Sequence, residues 1–455
     1  MWETVEVPVW GVVLVAVLAL VALLDRVITP SLRWVFRRRV YRAIDRLNEK
    51  LRVQIQPFKL MRRQVLIDRL VHDPAVLSEM ETHMTETGKP RDVVEAEVEG
   101  YAREIVPSFS AYAYFSVGAR VSRWIAQALY RVRLGAFDED ALRDVDSSAT
   151  IVFVMNHRSN VDYLLVTYLA STQSALSYAV GEWARVWPLS RIIRAMGAYF
   201  IRRRSRNALY RRVLARYVRM ATDGGVTQAI FPEGGLSRDG RLARPKLGLL
   251  SYIVEGFDPK VRDVVFVPVG LNYDRVLEDR ILIGTDGKPG DEARFKVSPL
   301  SAAGYILRLI WLRLTGRLYR FGYACVSFGE PLSLKQFLWA TPEEDVVAAL
   351  GDELAQRIGQ VIPVLPVSLL SRVLLRESDA MTAFDLKLAV AAEMEDLHIK
   401  GAHSHVPRAD LDYAIEVGLR MLCLRRLVEE TESGFKFVPE QRPILDYYAN
   451  AIAHL

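Results

Sequence analysis

The sequence predicts an α/β fold in which a mostly parallel sheet with flanking helices lies between helical N-terminal and C-terminal regions. Short apolar strand candidates alternate with helical stretches from residue 150 to about residue 328, an alternation typical of a parallel sheet with crossover helices. The segments before and after this part have the apolar period of helices. One uncharged apolar run, Val7–Leu24, adds a predicted N-terminal transmembrane helix.

Composition excludes several classes of protein. The chain has 455 residues, 51% of them hydrophobic, and a net charge of +6 at neutral pH. This length and apolar content exclude a disordered protein, and two cysteines exclude a disulfide framework or a four-cysteine zinc site. The charge excess is too small to indicate a nucleic-acid partner. A mean hydropathy of +0.10 is low for a polytopic transporter and slightly high for a soluble enzyme.

The run Val7–Leu24 is long enough to cross a bilayer, because 18 residues at 1.5 Å each span most of the hydrocarbon core. Glu3 and Glu6 precede it, unlike the basic start of a secretory signal peptide. Five arginines follow between residues 33 and 42. The positive-inside rule then predicts a single-pass anchor in the inner membrane with the body of the protein in the cytoplasm. The alternative is a buried core helix.

Two further stretches, Phe115–Gly135 and Tyr305–Phe321, combine apolar and basic residues at helical spacing. Such helices either lie in a membrane interface, with arginines at the headgroups, or pack on a protein core with a solvated arginine face. Periodicity does not separate these two alternatives. In the first stretch, one predicted face carries four apolar residues, Val121, Ile125, Leu129 and Val132.

The strand candidates of the α/β part are Thr150–Asn156, four short runs near residues 176, 198, 227 and 264, and Tyr323–Phe328. Pro268 is expected to end the fourth short run, because proline donates no ladder hydrogen bond. We therefore divide the chain into an anchor over residues 1–30, a helical region with the membrane-apposed amphipathic helix over 31–135, the α/β domain over 136–338 and a helical C-terminal region over 339–455. The last region is expected to pack on the α/β domain or to contact a partner.

His157 follows the first strand and Asp162 lies five residues later. A histidine at a strand end is a natural general base, and a nearby carboxylate can orient its ring. The spacing alone is weak, since His405 and Asp410 repeat it in a polar loop. The surrounding segments make the first pair the stronger candidate.

Basic and glycine-rich segments follow the later strands. Gly197–Arg203 ends in adjacent arginines, Arg202 and Arg203, whose planar side chains suit phosphate binding. Arginines further along, between residues 211 and 219, are expected to form a solvated helix face. Phe231–Arg241 places Glu233 directly after a strand and beside Gly234 and Gly235, which allow close approach of a ligand to the backbone.

These segments resemble the glycerol-phosphate acyltransferase family. The four matching blocks are Asn156–Asp162, Gly197–Arg203, Phe231–Gly235 and Phe266–Val269. The segments Ser237–Gly248, Ser327–Leu334 and Ile444–Leu455 are similar to the bacterial membrane-bound glycerol-3-phosphate 1-O-acyltransferases in particular. One departure is Leu236, where the third block of the family commonly has arginine.

The resemblance implies transfer of a fatty acyl group from acyl-CoA or acyl carrier protein to the sn-1 hydroxyl of glycerol 3-phosphate, the first step of phospholipid synthesis. It implies His157 as the base, Asp162 as its orienting acid, and no metal or cofactor. The implied substrate-binding residues are Arg158, Ser159, Arg202, Arg203, Glu233, Gly234 and Arg238. Ser159 could instead be only a helix cap.

Two alternatives remain open. Lysophosphatidate or dihydroxyacetone phosphate would be a different acceptor for the same chemistry. A non-catalytic membrane protein that binds anionic lipid through its arginine-rich faces is the alternative from another class.

Overall fold

The computed structural model describes residues 55–170, 175–181, 185, 189–202, 205–284, 320–341, 345–377 and 379–455. The anchor segment and the stretch Tyr305–Phe321, apart from its last two residues, lie outside these ranges. Residues from Gln56 to Leu455 belong to one compact unit.

An eight-stranded sheet forms the centre of the α/β part, in the order β1-β7-β6-β2-β5-β3-β4, with β8 pairing with β6. All pairings are parallel except those of β6 with β7 and with β8. The prediction of a mostly parallel sheet with flanking helices is therefore confirmed. The strands are β1 Arg131–Phe137, β2 Thr150–Met155, β3 Ser177–Val180, β4 Tyr199–Phe200, β5 Gln228–Ile230, β6 Val264–Tyr273, β7 Tyr323–Phe328 and β8 Leu332–Ser333.

The central strands β2 and β6 are buried along their whole length, which is why they read as continuous apolar runs rather than alternating ones. Helices follow the strands along the chain: α6 Glu139–Arg143, α7 Asp162–Ala170, α8 Leu189–Ala195, α9 Ala208–Asp223, α10 Gly248–Val254, α11 Asp279–Ile283 and α12 Leu334–Ala340.

From residue 57 to residue 129 the N-terminal region is largely helical, as predicted, and it packs against α9. Its helices are α1 Pro57–Leu60, α2 Arg63–Val71, α3 Pro74–Thr87, α4 Arg91–Ile105, a π-helical segment Ala113–Gly118 and α5 Ala119–Leu129. Residues 72–73 connect α2 to α3, and residues 88–90 connect α3 to α4. Two arginines of α9 pair with this region, Arg212 with Glu79 and Arg216 with Asp73, so that helix face is only partly solvated.

The C-terminal region packs on the α/β domain. Asn272 at the end of β6 donates to the carbonyl of Pro363, and the Asp274 carboxylate accepts the backbone N–H of Val367. The helices are α13 Val346–Val361, α14 Pro366–Leu374, α15 Ala383–Ile399, α16 Leu411–Leu424 and α17 Arg442–Ala449. An antiparallel hairpin of β9 Val428–Thr431 and β10 Gly434–Phe437 was not predicted.

The predicted helix over Phe115–Gly135 is correct only as far as Leu129. Residues from Arg131 onward form β1, which pairs with β7, and pairing with a buried strand overrides the local helical period. The predicted apolar face is also wrong in part. Ser122, Ala126 and Leu129 are buried, whereas Val121 and Trp124 are about half exposed.

Pro268 does not end its strand. It lies inside β6, where it is paired with Val154 of β2. On the other side of β6, β8 pairs with Val265 and Phe266 while β7 pairs from Val269 onward. Pro268 therefore lies between the part of β6 that pairs with β8 and the part that pairs with β7, so its missing N–H costs no ladder hydrogen bond. Its carbonyl still accepts the N–H of Gly329.

Candidate active site

His157 and Asp162 meet in a tight turn between β2 and α7. The strand ends at Met155, the helix begins at Asp162, and the Nδ1 atom of His157 lies 2.9 Å from Asp162 Oδ2. Both side chains are buried. The turn thus brings together the two residues that the sequence predicted as base and orienting acid.

Hydrogen-bond donors surround the Asp162 carboxylate. Besides His157, its Oδ2 atom accepts the backbone N–H groups of Arg158 and Ser159, at 2.8 and 3.1 Å. Its Oδ1 atom accepts the hydroxyl of Tyr273 at 2.5 Å. A buried carboxylate needs this compensation, and the same bonds fix the direction in which it holds the His157 ring.

Aromatic rings hold the other side of His157. The Phe231 ring stacks on the imidazole with 4.1 Å between centroids, and Tyr163 meets it edge-on at 5.5 Å. Phe231 and Tyr163 also line a largely apolar groove with a volume of about 170 Å³. Sheet residues Val154, Ala179 and Ile230 and helix residues Leu250 and Leu354 form much of its remaining wall.

Glu233 is buried and holds two segments of backbone together. Its Oε1 atom accepts the N–H of His157 at 2.8 Å, and its Oε2 atom accepts the N–H of Ala243 at 3.2 Å. Burial raises the pKa of Glu233 to about 7, against the opposing effect of these two N–H groups. The carboxyl group therefore fixes the turn against the third predicted segment, while contact with a substrate hydroxyl stays a prediction.

Arg158 and Ser159 lie on the same turn, and both are buried. The Arg158 guanidinium donates to the carbonyl of Gly240 and lies 4.8 Å from the centroid of the Tyr447 ring. The Ser159 hydroxyl accepts the N–H of Val161, as a capping serine does, and donates to Glu278 at 2.7 Å. Their roles as substrate ligands stay predictions.

The predicted phosphate ligands have different environments. The Arg202 guanidinium forms an ion pair with Glu104 of α4, at 2.7 Å, and Arg185 pairs with the same carboxylate. Arg238 is exposed on the loop after β5, and Gly234 adopts a positive φ of 66° on that loop. Arg203 lies outside the described residues.

Comparison with known proteins finds two family models that match this chain. The acyltransferase family model matches residues 138–272, which contain all four predicted blocks, and the model of the glycerol-3-phosphate acyltransferase C-terminal region matches residues 310–455. The chain is therefore similar to the acyltransferase family in its α/β part and to glycerol-3-phosphate acyltransferases in its C-terminal region. The resemblance seen in the sequence is thereby confirmed.

The curated relatives are longer than this chain. The glycerol-3-phosphate acyltransferase of Ectopseudomonas mendocina (strain ymp) is 27% identical over 424 residues, covering 86% of this chain and 49% of the relative. That of Actinobacillus succinogenes is 28% identical over 436 residues, covering 89% and 51%. The chain thus spans about half the length of the curated relatives it matches. The crystal structure of the 1-acyl-sn-glycerophosphate (LPA) acyltransferase PlsC from Thermotoga maritima gives a TM-score of 0.33 at 16% identity, over 65% of this chain and 94% of that chain.

Sequence reasoning missed three residues that border the site. Tyr273 ends β6 and Glu278 precedes α11, more than 110 residues from the turn that they contact. Lys246 lines the apolar groove, and its side chain lies against Gly234. Of the three, only Lys246 could have been found from local sequence, as a lysine on the loop after the third block. Tyr273 and Glu278 reach the site only through the tertiary fold.

The second pair with the same spacing has no such geometry. The Asp410 carboxylate caps α16 by accepting the N–H of Tyr413, and the His405 ring packs against Tyr323. Throughout the described ranges, no group of three or more His, Cys, Asp or Glu side chains is arranged to hold a metal ion.

Proposed function

We propose that this chain is a glycerol-3-phosphate 1-O-acyltransferase that transfers a fatty acyl group from acyl-CoA or acyl carrier protein to glycerol 3-phosphate. The observation that carries the proposal is the buried His157–Asp162 pair, whose histidine contacts Phe231 and Tyr163 of an apolar groove. The relatives that match most of the chain carry the same activity in their names.

The geometry supports a direct transfer. Asp162 fixes the Nδ1 side of His157, and the Nε2 atom has no hydrogen-bond partner among the described residues. Nε2 takes the proton of the acceptor hydroxyl as that oxygen attacks the thioester carbonyl. The carbon–sulfur bond then breaks, and the leaving thiolate receives the proton from the imidazolium. No acyl-enzyme forms in this mechanism, and Asp162 stabilises the imidazolium as the acid of a triad does.

The groove supports a fatty acyl donor. Its lining is mostly aliphatic and aromatic, and two of its walls, Phe231 and Tyr163, touch His157. Such a surface binds an alkyl chain by the hydrophobic effect, so a chain in the groove would place its thioester near the base. The choice between CoA and acyl carrier protein depends on surfaces beyond this groove.

Cations on the loop after β5 support a phosphate-bearing acceptor. Arg238 has no ion pair with any other described residue, and Lys246 lies against Gly234 at the groove. Arg238 and Lys246 are more available to bind a phosphate than Arg202, because the Arg202 guanidinium is already paired with Glu104. Leu236, two residues before Arg238, is uncharged.

We also propose that the enzyme is held at the inner membrane by residues 1–30, with the catalytic domain in the cytoplasm. The support is the uncharged run Val7–Leu24 and the arginines after it, both outside the described residues. Within the described part of the chain, no helix has the length and apolar character needed to span a bilayer. The half-exposed Val121 and Trp124 of α5 lie beside Arg120 and Arg123, a combination suited to a lipid interface.

A thiol-release assay tests the proposed activity. The detergent-purified protein is given acyl-CoA and glycerol 3-phosphate, and free thiol is followed. His157→Ala should lower the rate by about 10²–10⁴-fold, the usual contribution of a general base. His405→Ala, from the pair with equal spacing and different contacts, should retain wild-type activity.

Equal thiol release by wild type and His157→Ala would disprove the mechanism. Replacing glycerol 3-phosphate with lysophosphatidate or dihydroxyacetone phosphate in the same assay decides between the acceptors. No thiol release with any acceptor would favour the non-catalytic lipid-binding alternative.

A further inference from the structure

The C-terminal helix α17 contacts the catalytic turn on its buried side. The Tyr447 ring lies under the Arg158 guanidinium, and the Tyr447 backbone packs directly on Gly240, whose carbonyl accepts the same guanidinium. A Cβ atom added to Gly240 would lie 1.9 Å from the Tyr447 carbonyl oxygen. The side chain of Asn450 also donates to the carbonyl of Asp239. The helix and the loop after β5 are therefore in contact at backbone distance.

The neighbouring Tyr448 is the centre of a polar network. Its hydroxyl donates to the Asp279 carboxylate at 2.5 Å and accepts the backbone N–H of Val276 at 3.0 Å. Arg425, which follows α16, donates to both Tyr448 and Asp279. Tyr448 and Asp279 are buried. This network fixes the segment between β6 and α11 to the C-terminal region.

That segment reaches the catalytic turn through Glu278. Its carboxylate accepts the Ser159 hydroxyl at 2.7 Å and the backbone N–H of Asn160 at 3.2 Å. Glu278 is buried, and burial raises its pKa. The hydrogen bonds from Ser159 and Asn160 oppose this effect and stabilise the charged carboxylate. Ser159 and Asn160 lie between His157 and Asp162 in the chain, and each bond therefore restrains the turn that carries the base.

We propose that Tyr448 and Arg425 are positioning residues for acyl transfer, which act through Asp279 and Glu278 on the His157–Asp162 turn. The inference rests on the proposed function and gives a role to the C-terminal region. Packing alone would have used apolar side chains, because burying charged groups is costly unless they are paired. Here a buried arginine, two carboxylates and a tyrosine hydroxyl form a directional link to the turn. A general base displaced by 1 Å loses about 10²-fold in rate.

The test compares Tyr448→Phe with a matched control, Val390→Ala. The first variant removes one hydroxyl from the network. The second creates a small cavity in α15, which is part of the same region and packs on α14 and α16. We expect Tyr448→Phe to lower kcat for thiol release by about 10–100-fold with both substrate KM values within about twofold. Val390→Ala should keep the wild-type kcat at an equal or lower melting temperature.

A second readout does not depend on activity. Diethyl pyrocarbonate modifies the free imidazole nitrogen, and mass spectrometry gives the rate at the His157 peptide. We expect this rate to rise severalfold in Tyr448→Phe and to stay at the wild-type value in Val390→Ala. If Tyr448→Phe does not fold, Arg425→Lys replaces it, since lysine keeps the charge but cannot donate in the same fork geometry.

The positioning role is wrong if Tyr448→Phe keeps the wild-type kcat and His157 labelling rate. It is also wrong if both variants lose kcat in proportion to their melting temperatures, since the network would then contribute only stability. A wild type that releases no thiol with any acceptor contradicts the proposed function instead. In that case the labelling rates alone confirm or refute the link between the C-terminal helix and the turn.

Discussion

Glu233 is the residue whose contacts in the structure differ most from its predicted role. Its position after a strand and before two glycines predicted a contact with the acceptor. In the structure its two oxygens accept the N–H groups of His157 and Ala243. Glutamine has only one oxygen to accept these bonds, so Glu233→Gln would leave one N–H facing an amide NH₂ group. The residue is therefore expected to position the catalytic turn even if it also touches substrate.

The pH dependence of stability tests this burial. The pKa of Glu233 is raised to about 7, above that of the unfolded chain, so the folded state holds the proton more tightly. Its stabilising contribution is complete below about pH 4.5 and is lost as the pH rises through about 7. Relative to Glu233→Gln, the wild type should lose up to about 3 kcal/mol of unfolding free energy between pH 4.5 and pH 8.

Denaturant unfolding of both detergent-solubilised proteins at several pH values measures this difference. Other buried carboxyl groups, such as Asp274 and Glu278, are common to both proteins and cancel in the comparison. Parallel stability curves for wild type and variant would mean that Glu233 titrates normally, and the burial argument would fail.

At the scale of elements, the sequence predicted what depends on local pattern. The buried strands β2 and β7, the helix α9 and the turn with His157 and Asp162 follow from apolar runs, helical periodicity and short spacing. Strand β1 was missed because Arg131–Phe137 continues a helical period and becomes a strand only by pairing with β7. Tyr273 and Glu278 could not be found from spacing, because sheet order alone brings them to the turn.

The groove between the sheet and helices α10 and α13 leads to an element-scale prediction. Ala179 of β3 lines this groove, and Ala179→Leu adds three carbon atoms to its wall. If the groove holds the acyl chain, the variant should lower kcat/KM for long-chain acyl-CoA by about tenfold, which corresponds to the binding of about two methylene groups, and should spare short-chain donors.

Steady-state rates over a series of acyl-CoA chain lengths provide the measurement. Val390→Ala, on a helix that contributes no residue to the groove lining, is a suitable control for general loss of stability. A uniform decrease for all chain lengths would place the acyl chain elsewhere.

At the scale of the whole molecule, the catalytic sheet is supported from two sides. The N-terminal helices α3 and α4 pack on α9. The C-terminal region packs on the end of β6, on the loop after β5 and on Arg158 of the catalytic turn. The apolar excess that the composition showed is therefore largely a protein core. Two candidates for membrane contact are the run Val7–Leu24 and the half-exposed side chains of α5.

These two surfaces predict different modes of membrane binding. A helix of 18 uncharged residues inserts stably, whereas an interfacial helix with arginines binds anionic lipid and is weakened by salt. Deleting residues 1–30 should therefore convert the protein from one that resists alkaline carbonate to one that high salt releases. Flotation of both forms with vesicles containing anionic lipid, at low and high salt, measures this.

In the truncated form, Trp124→Ala should weaken the remaining low-salt binding further, because Trp124 is the largest exposed apolar side chain of α5. Truncated protein that stays bound in high salt and carbonate would show that another apolar segment, rather than the run Val7–Leu24, anchors the enzyme.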